Sequence, residues 1–199
     1  MSVENVLARV AELDRGLVGP AAPAPQQAGA GAFASVLAAT AAPAGSVPLI
    51  GGSAGQRALQ VAQAEVGQAE QPPGSNDSPR IAQYRQATAG SGVGPWCAYF
   101  VSWAAQQGGA PLGESGQGFG SVAAVAGWAQ RTGRFTPAGN GVPPNPGDLI
   151  VWGGEHVGIV ESVDADGTIH TIEGNSSNMV ARRTHGADGD GATGFIRLG

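Results

Sequence analysis

The hydrophobic pattern changes near Pro146, and this change constrains the fold more than any other feature of the sequence. Upstream, apolar residues recur at the spacings of three and four that are typical of helices, and we predict helices over 54–68, 79–88, 97–105 and 121–131. Downstream, short β-branched segments are separated by Gly, Asp and Asn, at 148–152, 156–163, 168–173, 179–183 and 194–198. Helices followed by strands predict an α+β domain, with N-terminal helices packed on an antiparallel β-sheet of about five strands.

The N-terminal quarter of the chain has a different composition from the rest. Residues 1–18 have apolar residues at helical spacing and predict one amphipathic helix. Residues 19–48 consist mainly of Ala, Pro, Gly and Gln and predict a largely disordered linker. The folded domain is therefore predicted over 49–199. For the leading helix two interpretations stay open: it docks on a protein partner, or it docks on its own domain.

Charge and cysteine content exclude several classes of function. Ten Lys and Arg against fifteen Asp and Glu give a net charge of -5, and no basic run is present, so nucleic acid is a poor candidate partner. A single cysteine cannot form an internal disulfide. No Cys/His pair has zinc-ligand spacing, and we expect no metal or other cofactor. No apolar run reaches the ~18–20 residues of a membrane span, and no Sec signal peptide is visible.

The single cysteine, Cys97, has two interpretations. A free cysteine usually packs as an inert apolar side chain in the core. In the alternative it is a nucleophile, because Pro95 is suited to the first turn of a helix and places Cys97 within that turn. Unpaired backbone N–H groups and the positive end of the helix dipole there stabilise an anion, which favours the reactive thiolate.

His156 is the best candidate for a base that would activate this thiol. His170 lies inside a predicted strand and His185 in a Gly- and Asp-rich loop, where an ordinary structural or surface role is expected. His156 instead begins a strand, where side chains at the end of a sheet border a cleft. The segments 156–163 and 168–175 flank DADG and predict a hairpin.

The hairpin places two more polar residues beside His156. With an even number of loop residues, His156 shares a face with Gly158, Glu173 and Asn175. A loop of four pairs His156 with Asn175, whereas a loop of two places Asn175 opposite Gly158, and both registers stay open. A thiol, an imidazole and an acceptor that orients the ring are the groups that nucleophilic catalysis requires.

Four ordered motifs, PWCAYFVSW, NPGDLIVW, EHVGIVESV and TIEGNSS, resemble the signatures of the CHAP family, the cysteine, histidine-dependent amidohydrolases and peptidases. The resemblance covers about residues 50–199 and implies a papain-like fold. It also implies that Cys97 is the nucleophile, that His156 is the general base, and that Glu173 and Asn175 orient the imidazole.

The resemblance further suggests how substrate is held. The backbone N–H of Cys97 would be one oxyanion donor, and the Asn76 side chain is our candidate for a second. Trp96, next to the nucleophile, is predicted to border the cleft. Some CHAP domains carry an acidic calcium loop before the cysteine, but residues 75–96 contain only Asp77, so no metal site is predicted.

The implied function is that of a bacterial cell-wall hydrolase acting on peptidoglycan, as an N-acetylmuramoyl-L-alanine amidase or as an endopeptidase of the stem or cross-bridge. The alternatives are a catalytically weak wall-binding or assembly module and a cysteine hydrolase of protein amides. The expected location is the cell envelope or the extracellular space of a bacterium. Residues 1–48 resemble leaders of flagellum-associated wall hydrolases, which suggests export by that apparatus; an endolysin-like phage protein is the competing hypothesis.

Overall fold

A computed structural model describes residues 51–199. The helix predicted over 1–18 and the linker predicted over 19–48 lie outside the described residues and stay predictions. The described part contains four α-helices, α1 (Ala54–Ala64), α2 (Pro79–Gln86), α3 (Cys97–Gln107) and α4 (Val122–Arg131). None of the helices within 51–199 combines the length and apolarity needed to cross a bilayer.

The helices are followed by six strands, β1 (Phe135–Pro137), β2 (Leu149–Trp152), β3 (His156–Val163), β4 (Ile169–Ser176), β5 (Met179–His185) and β6 (Gly194–Ile196). They form one antiparallel sheet in the order β1-β6-β2-β3-β4-β5. The α+β class with an antiparallel sheet is confirmed. The additional strand, β1, is three residues long and ends in a proline at the sheet edge, so it has no alternating pattern to read.

The first helix is shorter than its periodicity predicts. Instead of continuing to residue 68, α1 ends at Ala64, because Gly67 adopts a φ of 94° and the chain turns to pair with β5. The N–H of Gly67 donates to the carbonyl of Val180 at 2.9 Å, and the N–H of Val180 donates to the carbonyl of Gln68 at 2.8 Å. This pairing joins the segment after α1 to the edge of the sheet.

Helix α3 is the centre of the core, as its nearly all-apolar sequence predicts. Every residue from Cys97 to Ala105 is buried. Two glycines allow close packing around this helix: a Cβ at Gly108 would lie 2.5 Å from the backbone nitrogen of Ala58 in α1, and a Cβ at Gly174 would lie 2.5 Å from Cβ of Phe100. The end of α3 is thereby packed against α1, and its first turn is packed against β4 at Gly174.

Candidate active site

Cys97 is the first residue of α3, as predicted. Ser53, Ser78 and Ser121 cap the other helices of the described part, but at α3 the capping position is Trp96, which offers no capping side chain. The first-turn N–H groups therefore remain available to an anion. The cysteine is only 4% exposed, and its Sγ lies 3.9 Å from the backbone carbonyl oxygen of Glu155.

His156 is the first residue of β3 and interacts with Cys97 and Glu173. Its Nε2 lies 2.8 Å from Oε2 of Glu173. Burial disfavours the charged ring, but hydrogen bonds with Cys97 and Glu173 outweigh burial and raise the pKa of His156 to about 9. The imidazolium form therefore predominates at neutral pH, next to the Cys97 thiol.

Glu173 is the buried anion of the site, with a side chain only 4% exposed. Burial alone would raise its pKa, but hydrogen bonds from His156, Thr171 and His185 lower the pKa to about 2. The Thr171 hydroxyl donates to Oε1 at 2.6 Å, while Oε2 faces His156. Glu173 is thus an ionised, fully hydrogen-bonded partner for the His156 ring.

A bulge in the β3–β4 hairpin sets the register at the site. Val163 pairs with Ile169, which leaves a five-residue loop rather than an even one. The register then shifts near Glu161, and Val160 pairs with Thr171. Beyond the bulge the pairing is the one that a four-residue loop would give, which is one of the two registers left open by the sequence. Continued toward His156, this register places Gly158 opposite Glu173.

Gly158 gives Glu173 the space that it occupies. A Cβ at position 158 would lie 2.8 Å from Cγ of Glu173, closer than ordinary side chains approach. The absence of a side chain at Gly158 leaves room on this face, and the Glu173 side chain fills it.

Asn175 is less closely involved than its position in the E-x-N pattern implies. Its backbone has a φ of 57°, at a point where the pairing of β4 with β5 is interrupted. Within residues 51–199 no hydrogen bond joins its side chain to the His156 ring, whose Nε2 is occupied by Glu173. Of the two predicted orienting groups, the structure brings Glu173 to the ring.

The predicted position of Trp96 is wrong. Trp96 has no exposed surface and packs on Tyr84, with ring centroids 5.9 Å apart, so it cannot border a cleft. Its indole N–H donates to Oε1 of Glu70 at 2.9 Å, and burial with a satisfied N–H is the ordinary state of a core tryptophan. Glu70 also accepts the backbone N–H of Asn76 at 3.0 Å, which ties the Asn76 loop to the residue before Cys97.

A cleft of about 270 Å³ opens beside Cys97. Its walls come from the start of α3, from the end of the Gly-rich loop that precedes α4, and from the β2–β3 turn, and include Pro95, Tyr99, Gly120, Ser121, Gly154 and Glu155. The Gly-rich loop covers residues 111–121, and its last two residues, Gly120 and Ser121, line the cleft. Within residues 51–199, no group of three His, Cys, Asp or Glu side chains is arranged to hold a metal ion.

Sequence reasoning missed His185, which it interpreted as a surface residue. The Nε2 atom of His185 lies 2.8 Å from Oε1 of Glu173, and its Nδ1 lies 3.0 Å from Oδ2 of Asp190. Thr171, two residues before Glu173 in β4, also donates to its carboxylate and was not among the predicted site residues. No motif signals these contacts, because they depend on where β5 ends and how the following turn folds back.

The family comparison covers the residues of this site. The CHAP domain family model matches residues 88–175, a range that contains Cys97, His156 and Glu173. Among solved structures, the chain is similar to an N-acetylmuramoyl-L-alanine amidase from Staphylococcus aureus, with 19% identity, a TM-score of 0.38 and coverage of 55% of this chain. The chain spans only 33% of that protein's length. No curated protein matches the sequence at a significant level. Residues 88–175 of this chain are a CHAP domain.

Proposed function

We propose that this protein is a peptidoglycan hydrolase that cleaves an amide bond through a thioester on Cys97. The observation that carries the proposal is the joining of Cys97, His156 and ionised Glu173 in one hydrogen-bonded series beside a cleft. A thiol at an uncapped helix start, with a protonated imidazole next to it, is suited to act as a thiolate nucleophile. The peptidoglycan substrate is inferred from the CHAP match.

In the first half of the reaction, the Cys97 thiolate attacks the amide carbonyl carbon and forms a C–S bond, while the carbonyl electron pair moves to oxygen. The backbone N–H of Cys97 stabilises this oxyanion. As the C–N bond breaks, the His156 imidazolium donates its proton to the departing amine. Because Glu173 binds Nε2, the nitrogen that faces the thiol and the leaving group is Nδ1.

In the second half, neutral His156 accepts a proton from water, and the resulting hydroxide attacks the thioester carbonyl. Collapse of the tetrahedral intermediate breaks the C–S bond, releases the carboxylic acid product, which loses its proton to solvent, and returns Cys97 as a thiolate beside protonated His156. Glu173 keeps the ring oriented and balances its charge through both steps.

Two further residues are proposed to assist. Asn76 is the candidate second oxyanion donor, and its connection through Glu70 to Trp96 supports this role, because it fixes the Asn76 loop to the start of α3. Asn175, two residues from Glu173, is the candidate second group for orienting the imidazole; its side chain would have to turn toward the ring when substrate binds.

The experiment is digestion of purified peptidoglycan by wild type and by Cys97→Ala, with mass spectrometry of the released fragments. We expect cleavage by wild type alone, and the new termini distinguish an N-acetylmuramoyl-L-alanine amidase from a stem or cross-bridge endopeptidase. New amino groups from a protein substrate but not from walls would support a hydrolase of protein amides. Binding to walls without cleavage of either substrate would support the wall-binding module.

Peptidoglycan as substrate places the proposed site of action in the cell envelope or outside the cell. We keep export by the flagellar apparatus through residues 1–48 as a hypothesis, based on the VENVLARVAEL and AFASVLAAT segments. A reporter fused to residues 1–48 is expected to leave cells that have an active flagellar exporter. Retention of the reporter would favour the endolysin-like alternative, in which release follows membrane damage.

A further inference from the structure

The Glu173 carboxylate connects two histidines, not one. Its Oε2 lies 2.8 Å from Nε2 of His156, and its Oε1 lies 2.8 Å from Nε2 of His185. The Thr171 hydroxyl donates to the same Oε1 at 2.6 Å. Each oxygen of the carboxylate is therefore held from a different side, and its orientation toward His156 depends on the groups that bind Oε1.

His185 is itself held in place on its other side. Its Nδ1 lies 3.0 Å from Oδ2 of Asp190, and the backbone N–H of Gly186 donates to Oδ1 of the same carboxylate at 3.0 Å. The Trp152 ring packs on His185 with a centroid separation of 4.8 Å and on His156 with one of 5.5 Å. The indole N–H of Trp152 donates to the carbonyl of Gly189 at 2.7 Å, which fixes the turn after β5 to β2.

Burial makes the contact between His185 and Glu173 hard for water to replace. The side chains are only 15% and 4% exposed, respectively. The ring lies between two carboxylates, with Nε2 facing Glu173 and Nδ1 facing Asp190. A hydrogen bond to a charged carboxylate at such a buried position is stronger than one at the surface.

A similar pair on the same sheet lacks this connection. His170 in β4 lies 2.9 Å from Oδ2 of Asp164, and its Nδ1 lies 3.2 Å from the Thr184 hydroxyl. The side chains of His170 and Asp164 are 33% and 56% exposed. Both pairs join a histidine to a surface aspartate, but only His185 also binds the carboxylate that orients His156.

We propose that His185 is a positioning residue that holds the Glu173 carboxylate in the orientation in which it binds His156. The inference rests on the proposed function, since it assigns His185 a part in the same reaction. The groups that face His185 are Glu173 from β4, Asp190 from the turn after β5 and the Trp152 ring from β2. Those that face Glu173 are His156, Thr171 and His185.

The proposal predicts a specific effect of replacing His185 by Leu, which has similar volume and no N–H. Oε1 then retains only the Thr171 hydroxyl, so the carboxylate is free to rotate away from His156. Loss of one hydrogen bond to a charged group predicts a decrease in kcat of roughly tenfold, with KM nearly unchanged. Glu173 also loses a group that favours its ionised form. The decrease in kcat and in the rate of Cys97 alkylation at low pH, the acid limb of each pH profile, should therefore begin at a higher pH.

The experiment compares wild type, His185→Leu, His185→Gln and the matched control His170→Gln. Two measurements are made on each: kcat and KM for peptidoglycan digestion, and the rate of Cys97 alkylation by iodoacetamide between pH 2 and 10, a range that includes the pKa values of Glu173 and His156. The alkylation rate needs no substrate, so it reports on the Cys97, His156 and Glu173 series even if walls are not cleaved.

We expect His185→Leu alone to show the lower kcat and the displaced acid limb of alkylation. His185→Gln, which keeps a side-chain N–H that can reach Oε1, and His170→Gln should resemble wild type. If His185→Leu displaces the acid limb of alkylation but even the wild-type protein does not cleave peptidoglycan, the positioning role stands and the proposed substrate is rejected. Wild-type kinetics and alkylation in His185→Leu would overturn the inference, as would equal effects in His170→Gln.

A second variant keeps the test decisive if His185→Leu does not fold. Asp190→Gly removes the acceptor at Nδ1 of His185 on a side chain that is 59% exposed, and glycine tolerates the backbone φ of 53° at this position. We expect a smaller shift of the acid limb in the same direction. An unchanged profile in a folded Asp190→Gly protein would count against any coupling of His185 to the site.

Discussion

Replacing Glu173 by Gln tests the electrostatics of the site, because it removes the buried charge and keeps the shape of the side chain. In wild type the pKa of His156 is about 9, with Cys97 and Glu173 opposing the effect of burial. Without the carboxylate, burial is opposed by Cys97 alone, and we expect the pKa of His156 to fall toward its ordinary value of 6.5.

The size of this effect follows from the two pKa values. At pH 8 a histidine of pKa 9 is about 90% protonated, and one of pKa 6.5 is about 3% protonated, so the imidazolium that protonates the leaving amine becomes about thirtyfold less abundant. The assay is NMR titration of the His156 ring in wild type, in Glu173→Gln and in Glu161→Gln. Glu161 pairs with Arg182 on the surface and serves as the control. A His156 pKa that stays near 9 in Glu173→Gln would refute the reasoning.

The same substitution has a consequence for stability at low pH. The pKa of Glu173 is lowered from 4.5 to about 2 in the folded protein, so its ionisation stabilises the fold above pH 4.5 and this stabilisation is lost as the pH falls toward 2. The lowered pKa of Glu173 corresponds to about 3 kcal/mol of stabilisation, much of which is the interaction with His156 that also raises the pKa of that ring. Urea denaturation should show this loss in wild type and not in Glu173→Gln. Parallel curves would contradict it.

Three further predictions concern Gly158, Gly174 and pH. Gly158→Ala places a Cβ 2.8 Å from Cγ of Glu173 and should lower kcat by about tenfold or more through displacement of the carboxylate; unchanged kcat would contradict this. Gly174→Ala places a Cβ 2.5 Å from Cβ of Phe100 and should lower the free energy of unfolding by about 1–3 kcal/mol, as measured by urea denaturation. A free energy of unfolding equal to that of wild type would contradict this. Since the pKa of His156 is raised, kcat should fall as the pH rises through about 9, and a rate that keeps rising above pH 10 would argue against an imidazolium acid.

The central parts of the site could be predicted because their determinants are local. The helix start at Cys97 follows from Pro95 and from the apolar run after it, and β3 is observed over the predicted range, His156–Val163. The common face of His156 and Glu173 follows from strand alternation. The site has the pairing of the four-residue alternative for a reason that the sequence does not reveal: the loop has five residues, and the bulge near Glu161 shifts the pairing by one residue.

The parts that could not be predicted depend on tertiary contacts. Trp96 was misplaced because its burial depends on a hydrogen bond to Glu70, 26 residues away in sequence. His185 was interpreted as a surface residue because its contact with Glu173 requires both the length of β5 and the turn held by Asp190. Strand β1 was missed because three residues give no periodicity. For Trp96 and His185 the contacts join segments that are far apart in sequence, and no local sequence pattern specifies how such segments pack together.

The most direct test of a thioester mechanism is to observe the covalent intermediate. Wild-type protein would be mixed with soluble peptidoglycan fragments, quenched in acid during turnover and analysed by intact-protein and peptide mass spectrometry. We predict an acyl adduct on the peptide that contains Cys97, and neither adduct nor cleavage with Cys97→Ala. Cleavage of the fragments by Cys97→Ala at the wild-type rate, with no adduct on Cys97 in wild type, would contradict the assignment of Cys97 as the nucleophile.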